Sequence, residues 1–342
     1  MFWLKSLSCL LVFVLTLALV NSRARLRRLM WVLVFSGAFQ AVYGSLMVMS
    51  GLEWGFFFHK DTGQGVATGT FINRNHLAGY LELCLALGIG LLLAGLEEER
   101  VLGWRQRLRH WVRTLLGPKL RLRVLLAAMV VGLVMTHSRM GNSAFFTSLL
   151  VTGGLWLVAT GRRSWSGPLL LLGSLLLIDT FIVGHWFGVE RVMQRIEQTR
   201  IETEQRRYVA EDTLAPVRDF WRTGSGAGSF YTVYPAYRDG IVQGFYDHAH
   251  NDYLELAVET GLPGSALLLF IALPSWWMGM RAMWRRRRRL YRGAGFAVIM
   301  AGIAFAMHSS VDFNLQIPSN AILFVVLLAL GWVAAYQRPS EN

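Results

Sequence analysis

The sequence predicts an all-α polytopic membrane protein with about nine transmembrane helices and one large extracytoplasmic loop. Of its 342 residues, 54% are hydrophobic and 16% are charged, and the mean hydropathy of +0.40 is well above that of a water-soluble domain. The apolar residues form long runs between charged segments, and a run of about 20 residues is needed to cross roughly 30 Å of hydrocarbon. This composition excludes an ordinary cytosolic enzyme and a disordered chain.

Nine runs are predicted to span the membrane. They are residues 6–20, 29–50, 76–95, 122–136, 142–160, 167–186, 264–280, 294–309 and 319–336. The first run follows Lys5 as a signal peptide would, but it lacks an A-x-A site and four arginines follow it, which indicates an uncleaved anchor. The predicted organisation is six helices in 1–186, a large loop with short helices in 187–263, and three helices with a cytoplasmic tail in 264–342.

The basic residues indicate the orientation in the membrane. Of the 34 lysines and arginines, 22 fall on one side, in segments 21–28, 100–123, 162–163 and 281–292 and at Arg338. By the positive-inside rule this side is cytoplasmic, which leaves the N-terminus and the loop 187–263 outside. The run 285–289 lies between two spans, so an anchor is favoured over a nucleic-acid patch. The net charge of +13 therefore serves orientation, and no nucleic-acid partner is expected.

Four polar clusters lie at predicted membrane boundaries, and all four open to the same outer face. They are residues 73–76 (Asn-Arg-Asn-His), 136–139 (Thr-His-Ser-Arg), 248–252 (His-Ala-His-Asn-Asp) and 308–312 (His-Ser-Ser-Val-Asp). Ionisable groups near lipid usually line a cavity or a pathway, although each cluster alone also fits a helix cap or an interface anchor. Arg139 has no acidic residue within ten positions, so it either needs an anion from elsewhere or extends to the headgroups.

His250 precedes a predicted helix. Asp252 followed three residues later by Glu255 is typical of a capping box, so the helix is predicted to begin there. A diphosphate favours such a place, because free backbone N–H groups point out of it. Three interpretations remain open: His250 as a general base or hydrogen-bond donor, His248, His250 and Asp252 as metal ligands, and plain turn residues. A fourth metal ligand with recognisable spacing is missing, and the two cysteines, Cys9 and Cys84, both lie in apolar runs, so no cofactor is expected.

The outer loop contains further candidate binding groups. Residues 187–250 hold eight arginines against nine acidic residues, and this near-neutral balance indicates that some of the arginines bind an anion. The run Gly224 to Ser229 resembles a nucleotide fingerprint only superficially, because no βαβ unit surrounds it. It is interpreted as a turn, with an approach of its backbone amides to an anion as the alternative. Tyrosines at 231, 234, 237 and 253 can stack on sugar rings or anchor the interface.

Taken in order, four motifs resemble the O-antigen ligase and polymerase family of bacterial membrane proteins. They are residues 69–80 (Gly-Thr-Phe-Ile-Asn-Arg-Asn-His-Leu-Ala-Gly-Tyr), Ser138-Arg139, residues 224–230 (Gly-Ser-Gly-Ala-Gly-Ser-Phe), and residues 248–254 with Glu259-Thr260-Gly261. The match runs from about residue 65 to 320. The segment around His250 is its most specific part.

The resemblance implies a GT-C-like fold in the bacterial inner membrane, with the active site facing the periplasm. It also implies a glycan donor on undecaprenyl diphosphate, an acceptor hydroxyl on a glycan, lipid A core or protein, no metal, and inversion at the anomeric carbon. By motif position, His250 and Arg139 are the implied catalytic residues, and the family also uses an arginine inside the loop. The expected substrate-binding residues are Arg74, Asn75, Arg191, Arg195, Arg218, Arg222, His248 and Asn251.

Two other function classes fit parts of the sequence. A transporter or flippase of an anionic lipid-linked substrate would use the same arginines for binding, but such proteins often have repeated halves and broken helices near the midplane. Here the polar clusters lie at one boundary and one outer loop dominates. A non-catalytic membrane scaffold is the third class. Transfer of a lipid-linked glycan by purified protein separates the enzyme from both.

Overall fold

The computed structural model of the protein describes residues 2–55, 59–60, 63–95, 120–160, 205–240, 242 and 244–337. Within these ranges the regular secondary structure is helical, apart from one isolated bridge between Trp54 and His59. The all-α prediction is confirmed over this part of the chain.

The longer helices follow one another along the chain. They are α1 (Phe2–Leu19), α2 (Arg23–Ser50), α3 (Arg74–Ala94), α4 (Leu120–Met135), α5 (Arg139–Thr160), α6 (205–219), α7 (Asp252–Arg285), α8 (Arg289–His308) and α9 (Pro318–Tyr336). Short helical turns occur at Phe230–Val233, Tyr234–Ala236 and Asn314–Gln316.

Seven of the described helices are long and apolar enough to cross a membrane: α1, α2, α3, α5, α7, α8 and α9. The predicted span at 122–136 corresponds to α4, which has only 16 residues and is shorter than the roughly 20 that a span needs. The predicted span at 264–280 is part of the longer α7. The predicted span at 167–186, with the first part of the outer loop, lies outside the described residues.

Helix α7 is bent where the sequence motif ends in glycine. Gly261 has a φ of 69°, a left-handed conformation that glycine adopts without steric cost. The bend divides α7 into a first segment, 252–260, and a second apolar segment. Leu267, Phe270 and Trp277 of the second segment are exposed, as expected for side chains that face lipid. The bend therefore lets one helix both hold the polar motif and span the membrane.

Helix α3 is the central helix of the bundle and is buried along almost its whole length. It packs against α8, and the two backbones come close together at Gly90 and Gly293. A Cβ atom at Gly90 would lie 2.3 Å from the Gly293 carbonyl oxygen, so only glycine fits there. Small residues at helix crossings allow this close packing in membrane proteins.

The two ends of the bundle differ in chemistry. At one end, Arg286 donates to the Gln337 carbonyl and Arg292 to the Ala159 carbonyl, and the arginines that begin α2 lie at the same end. At the other end, helices α3, α7 and α9 begin and α8 ends, linked by hydrogen bonds from Asp252 N to Ser309 O and from Asn320 Nδ2 to His76 O. All four polar clusters of the sequence lie at this second end.

Candidate functional site

The centre of the site is the turn between α8 and α9, residues 309–317. It receives hydrogen bonds from the start of α7: Asp252 N donates to Ser309 O and Asn251 Nδ2 donates to Ser310 O, both at 2.9 Å. In return, Leu315 N donates to Asp252 Oδ2 at 3.0 Å. The turn therefore connects two polar clusters that lie about sixty positions apart in the sequence.

Asp312 lies in this turn and contacts polar groups from three other segments. Asn75 Nδ2 of α3 donates a hydrogen bond to Asp312 Oδ2. Arg206, in the first turn of α6, places a guanidinium nitrogen 3.6 Å from the same oxygen. His250 Nδ1 and His76 Nε2 lie 3.6 Å and 3.9 Å from Asp312 Oδ1, which makes them close polar contacts rather than hydrogen bonds.

Asp312 is ionised although its side chain is only 1% exposed. Burial raises the pKa of a carboxyl group. The contact with His250 and the positive charge of Arg206 lower the pKa of Asp312 by more than burial raises it. The pKa of Asp312 therefore lies well below the usual range of a carboxyl group. A buried carboxylate surrounded by these groups is a fixed negative charge at the end of the bundle.

His250 lies beside this carboxylate. It has a positive φ of 49°, which is unusual for a residue with a side chain and is often found at functional positions. Its side chain is 14% exposed while Nδ1 is buried, so the exposed part is another edge of the ring. The arrangement orients one nitrogen toward Asp312 and leaves the imidazole within reach of a ligand.

The aromatic ring of Phe313 holds the histidines in place. Its centroid lies 4.6 Å from that of His76, 4.2 Å from that of His248 and 4.9 Å from that of His250. The His248 ring stacks nearly parallel to it, whereas the other two meet it edge to face. Phe313 therefore separates the three imidazoles and fixes their orientations.

His248 binds a different carboxylate from His250. Its Nδ1 lies 2.7 Å from Glu255 Oε1, and Glu255 Oε2 accepts from Ala249 N at 2.9 Å. Burial lowers the pKa of His248, but the hydrogen bond and charge of Glu255 raise it more, so the net shift is upward. His248 thus holds the loop on α7.

The predicted capping box at Asp252 is wrong by one residue. The cap is Asn251, whose side-chain oxygen accepts from Tyr253 N and Leu254 N. Asp252 is turned toward Leu315 instead, and Glu255 is occupied by His248 and Ala249. The contact of Asp252 with the turn 309–317 joins distant parts of the chain, so the local sequence cannot reveal it. His250 lies immediately before the cap, as the motif suggested.

The backbone of the glycine-rich loop contacts a carboxyl group of the protein itself, the side chain of Glu259. Phe230 N donates to Glu259 Oε1 at 3.2 Å, and the loop backbone also bonds α7 through Ser225 N to Val258 O and Gly226 N to Glu259 O. The loop therefore fastens the outer segment to the bend in α7. The loop forms turns, as expected, and the alternative, an anionic ligand at its backbone amides, stays a prediction.

Arg139 lies at the same end of the bundle but outside the Asp312 cluster. It is the first residue of α5 and is exposed. Among the described residues it has neither a hydrogen bond nor an ion pair. The first turns of α5 and α3 pack closely, since a Cβ atom at Gly141 would lie 2.6 Å from Ala78 Cβ. Arg74, half-buried, begins α3 next to this contact.

Of the loop arginines that the structure describes, Arg206 is the one that lies at the cluster, and the sequence alone did not single it out. Arg218 and Arg222 are exposed, and the Arg222 guanidinium lies over the Trp221 ring at 4.9 Å. Arg191 and Arg195 lie outside the described residues. Asp312 and His76 were members of predicted polar clusters but were not assigned roles. Only the position of Arg206 in a polar stretch of the loop could have drawn attention to it.

The predicted metal alternative has no support in the side-chain directions. His248, His250 and Asp252 contact Glu255, Asp312 and Leu315 respectively. In the part of the chain that the structure describes, His, Cys, Asp and Glu side chains form no group of three arranged for a metal ion. Of the four tyrosines considered for sugar stacking, Tyr234 is buried in the loop core with Phe230 and Val209, and Tyr253 donates to the Ala306 carbonyl.

The sequence was compared with known protein families and curated proteins. The family model described as O-antigen ligase matches residues 124–269, which include Arg139, the glycine-rich loop and the segment around His250. None of the curated proteins matches the chain. The family match over residues 124–269 confirms the resemblance to the O-antigen ligase and polymerase family that the motifs indicate.

Proposed function

We propose that the protein transfers a glycan from undecaprenyl diphosphate to an acceptor hydroxyl at the periplasmic face of the bacterial inner membrane. The family match supports a membrane glycosyltransferase of the O-antigen ligase or polymerase type. The observation that carries the finer proposal is the contact of His250 with the ionised Asp312, next to Arg206, at the end of the bundle away from the clustered arginines. The acceptor is a glycan, lipid A core or a protein hydroxyl.

His250 is the general base in this proposal. During transfer the acceptor O–H bond breaks, a bond forms between the acceptor oxygen and the anomeric carbon, and the bond from that carbon to the diphosphate breaks. The proton passes to the exposed edge of His250. Asp312 faces Nδ1, so it favours the tautomer that has its proton on Nδ1 and stabilises the imidazolium that forms. Attack from the side opposite the diphosphate inverts the anomeric carbon.

Arginines stabilise the departing diphosphate. Negative charge develops on the phosphate as the bond breaks, and a fixed guanidinium group offsets it. Arg139 is exposed at the correct end of the bundle, and Arg206 extends from α6 over Asp312 with 31% of its side chain exposed. Arg74 and Asn75 at the start of α3 and Asn251 before α7 are the proposed binding residues at the same end of the bundle, and His248 supports the loop. No metal is required for this chemistry.

The test is glycan transfer by the purified protein in lipid nanodiscs, supplied with an undecaprenyl-diphosphate-linked glycan and an acceptor. We expect product from the wild type and a loss of about 100- to 10,000-fold for Asp312→Asn, which is nearly isosteric but lacks the charge. Arg287→Gln, at an exposed arginine near the opposite end of the bundle, is the matched control and should keep its activity. Movement of the lipid-linked glycan across a bilayer without product would instead indicate a flippase.

A further inference from the structure

A second polar pair lies buried below the site. Glu82 of α3 and His308, the last residue of α8, share a hydrogen bond of 2.7 Å between Oε1 and Nδ1. Both side chains are completely buried, and the reaction described above does not use either of them.

A gain in the stability of the folded protein does not explain why such a pair is buried. Removing ionisable groups from water costs more than their attraction usually returns, and well-packed apolar residues are often as stable or more stable. In addition, Glu82 Oε2 and His308 Nε2 are buried without a hydrogen-bond partner among the described residues. A polar pair that is only partly satisfied points to a role in the arrangement around it.

The pair is one of three contacts between one face of α3 and the turn 309–317. Asn75, Gly79 and Glu82 are spaced four and three residues apart, so they lie on the same face of the helix. Asn75 binds Asp312, and Glu82 binds His308 directly before the turn. Between them, Gly79 leaves the room that the Asn314 side chain occupies. The residue before the turn and a residue near the middle of the turn are therefore each held by a polar residue of α3.

We propose that Glu82 and His308 are positioning residues. They hold the α8–α9 turn in the position relative to α3 in which Asp312 orients His250. This inference rests on the proposed function of the site. It assigns the pair no contact with substrate: the hydrogen bond fixes the last residue of α8 against α3, and the turn that follows carries Asp312 to the imidazole. A small shift of this turn misdirects His250, and misplacement of a catalytic group by about 1 Å can cost about 100-fold in rate.

The experiment compares folded variants in the transfer assay. The double variant Glu82→Leu/His308→Leu removes both polar groups together, so neither is left unpaired and the protein should unfold at a temperature near that of the wild type. We expect its kcat to fall by about 10- to 100-fold with little change in the KM for the lipid-linked donor. The control is Thr152→Val, which replaces another buried polar residue on α5 that has no partner among the described residues, and its kcat should stay at the wild-type value.

A folded double leucine variant with wild-type kcat would overturn the inference, and so would a change confined to KM. If the double leucine variant does not fold, the exchange Glu82→His/His308→Glu decides, because it restores a polar pair in the reverse order. The exchange should recover kcat relative to His308→Glu alone, and failure to recover contradicts positioning. Absence of product from the wild type would instead refute the proposed function itself.

Discussion

At the scale of single residues, Asp312 has the largest number of polar contacts in the candidate site. Its carboxylate is buried and ionised because Asn75, Arg206 and two histidines surround it. The pKa of Asp312 is lowered in the folded state. Its ionised carboxylate therefore contributes to stability above the ordinary pKa of a carboxyl group, and this contribution is lost as the pH falls from that value through the folded pKa.

We expect His250→Ala to lower the transfer rate by about 100- to 10,000-fold, the range typical of acid–base catalysis. Donor binding should be largely retained, because the arginines proposed to bind the diphosphate do not contact His250. His248→Ala should be milder, since His248 contacts Glu255 and Phe313 rather than Asp312. The measurement is single-turnover transfer with purified, correctly inserted protein. Equal rates for His250→Ala and wild type would reduce His250 to a turn residue.

Arg139→Lys keeps the positive charge but loses the planar fork of the guanidinium. If Arg139 contacts the phosphate in a bidentate manner, activity should fall well below wild type while folding stays intact, since no described residue depends on its side chain. Transfer rate and thermal unfolding are measured side by side. The comparison variant is Arg287→Lys, because Arg287 is exposed near the opposite end of the bundle. Unchanged activity of Arg139→Lys would favour a side chain that only extends to the headgroups.

At the scale of elements, the first segment of α7 organises the outer loop. Glu255 binds His248 and Ala249, and Glu259 binds the backbone of the glycine-rich loop through Phe230. These two carboxylates lie one helical turn apart and hold two loop segments that are distant in sequence. The bend at Gly261 then allows the rest of the helix to enter the membrane.

The His248–Glu255 contact predicts how stability varies with pH. The pKa of His248 is raised in the folded protein relative to the ordinary value of 6.5, so the folded state binds this proton more tightly. The contribution is fully present below the unfolded pKa and is lost as the pH rises through the folded pKa. The unfolding temperature of the wild type should therefore decrease from a pH below 6.5 to a pH above the folded pKa of His248.

His248→Gln should weaken this decrease, whereas His59→Gln, at an exposed histidine in the loop between α2 and α3, should leave it unchanged. Differential scanning measurements of unfolding temperature at both pH values test this. A decrease of the same size in His248→Gln and wild type would show that other groups cause it.

At the scale of the whole molecule, the bundle has one end rich in arginine and another end that carries the candidate site. The arginines around 281–292 contact carbonyls at the ends of other helices, whereas the four polar clusters gather at the opposite end. This polarity agrees with the positive-inside rule and supports a periplasmic orientation of the site.

Cysteine labelling tests this orientation directly. A single cysteine at Ser225 or Asp239 of the outer loop, after Cys9 and Cys84 are replaced, should react with a membrane-impermeant maleimide from the periplasmic side. A cysteine at Arg287 should react only after the inner membrane is permeabilised. The reverse pattern would refute the topology and the periplasmic site.

Chelation of metal ions tests the proposal that glycan transfer needs no metal. Transfer should survive EDTA, because arginines are proposed to offset the charge of the diphosphate. Complete loss of activity with rescue by a divalent cation would contradict this proposal. It would instead indicate that His248, His250 and Asp252 are metal ligands.

Much of the fold could be predicted from the sequence, because the length of a hydrophobic run and the placement of charged residues are local properties. Eight of the nine predicted spans coincide with described helices, and the ninth lies outside the described residues. The boundaries were less accurate where tertiary contacts extend a helix. The segment 252–260 continues into the predicted span because Gly261 bends the helix without ending it.

By itself, the sequence determined the membrane class, the distribution of charge between the two ends and the motifs that include His250, Arg139 and Asn75. These follow from composition, periodicity and local spacing. Only the tertiary structure decided which groups meet: Asp312 with His250 and Arg206, and Glu82 with His308. Such pairings depend on how α3, α7 and α8 pack and on the turn that joins α8 to α9, and residues separated by tens to hundreds of positions leave no local pattern that predicts their contact.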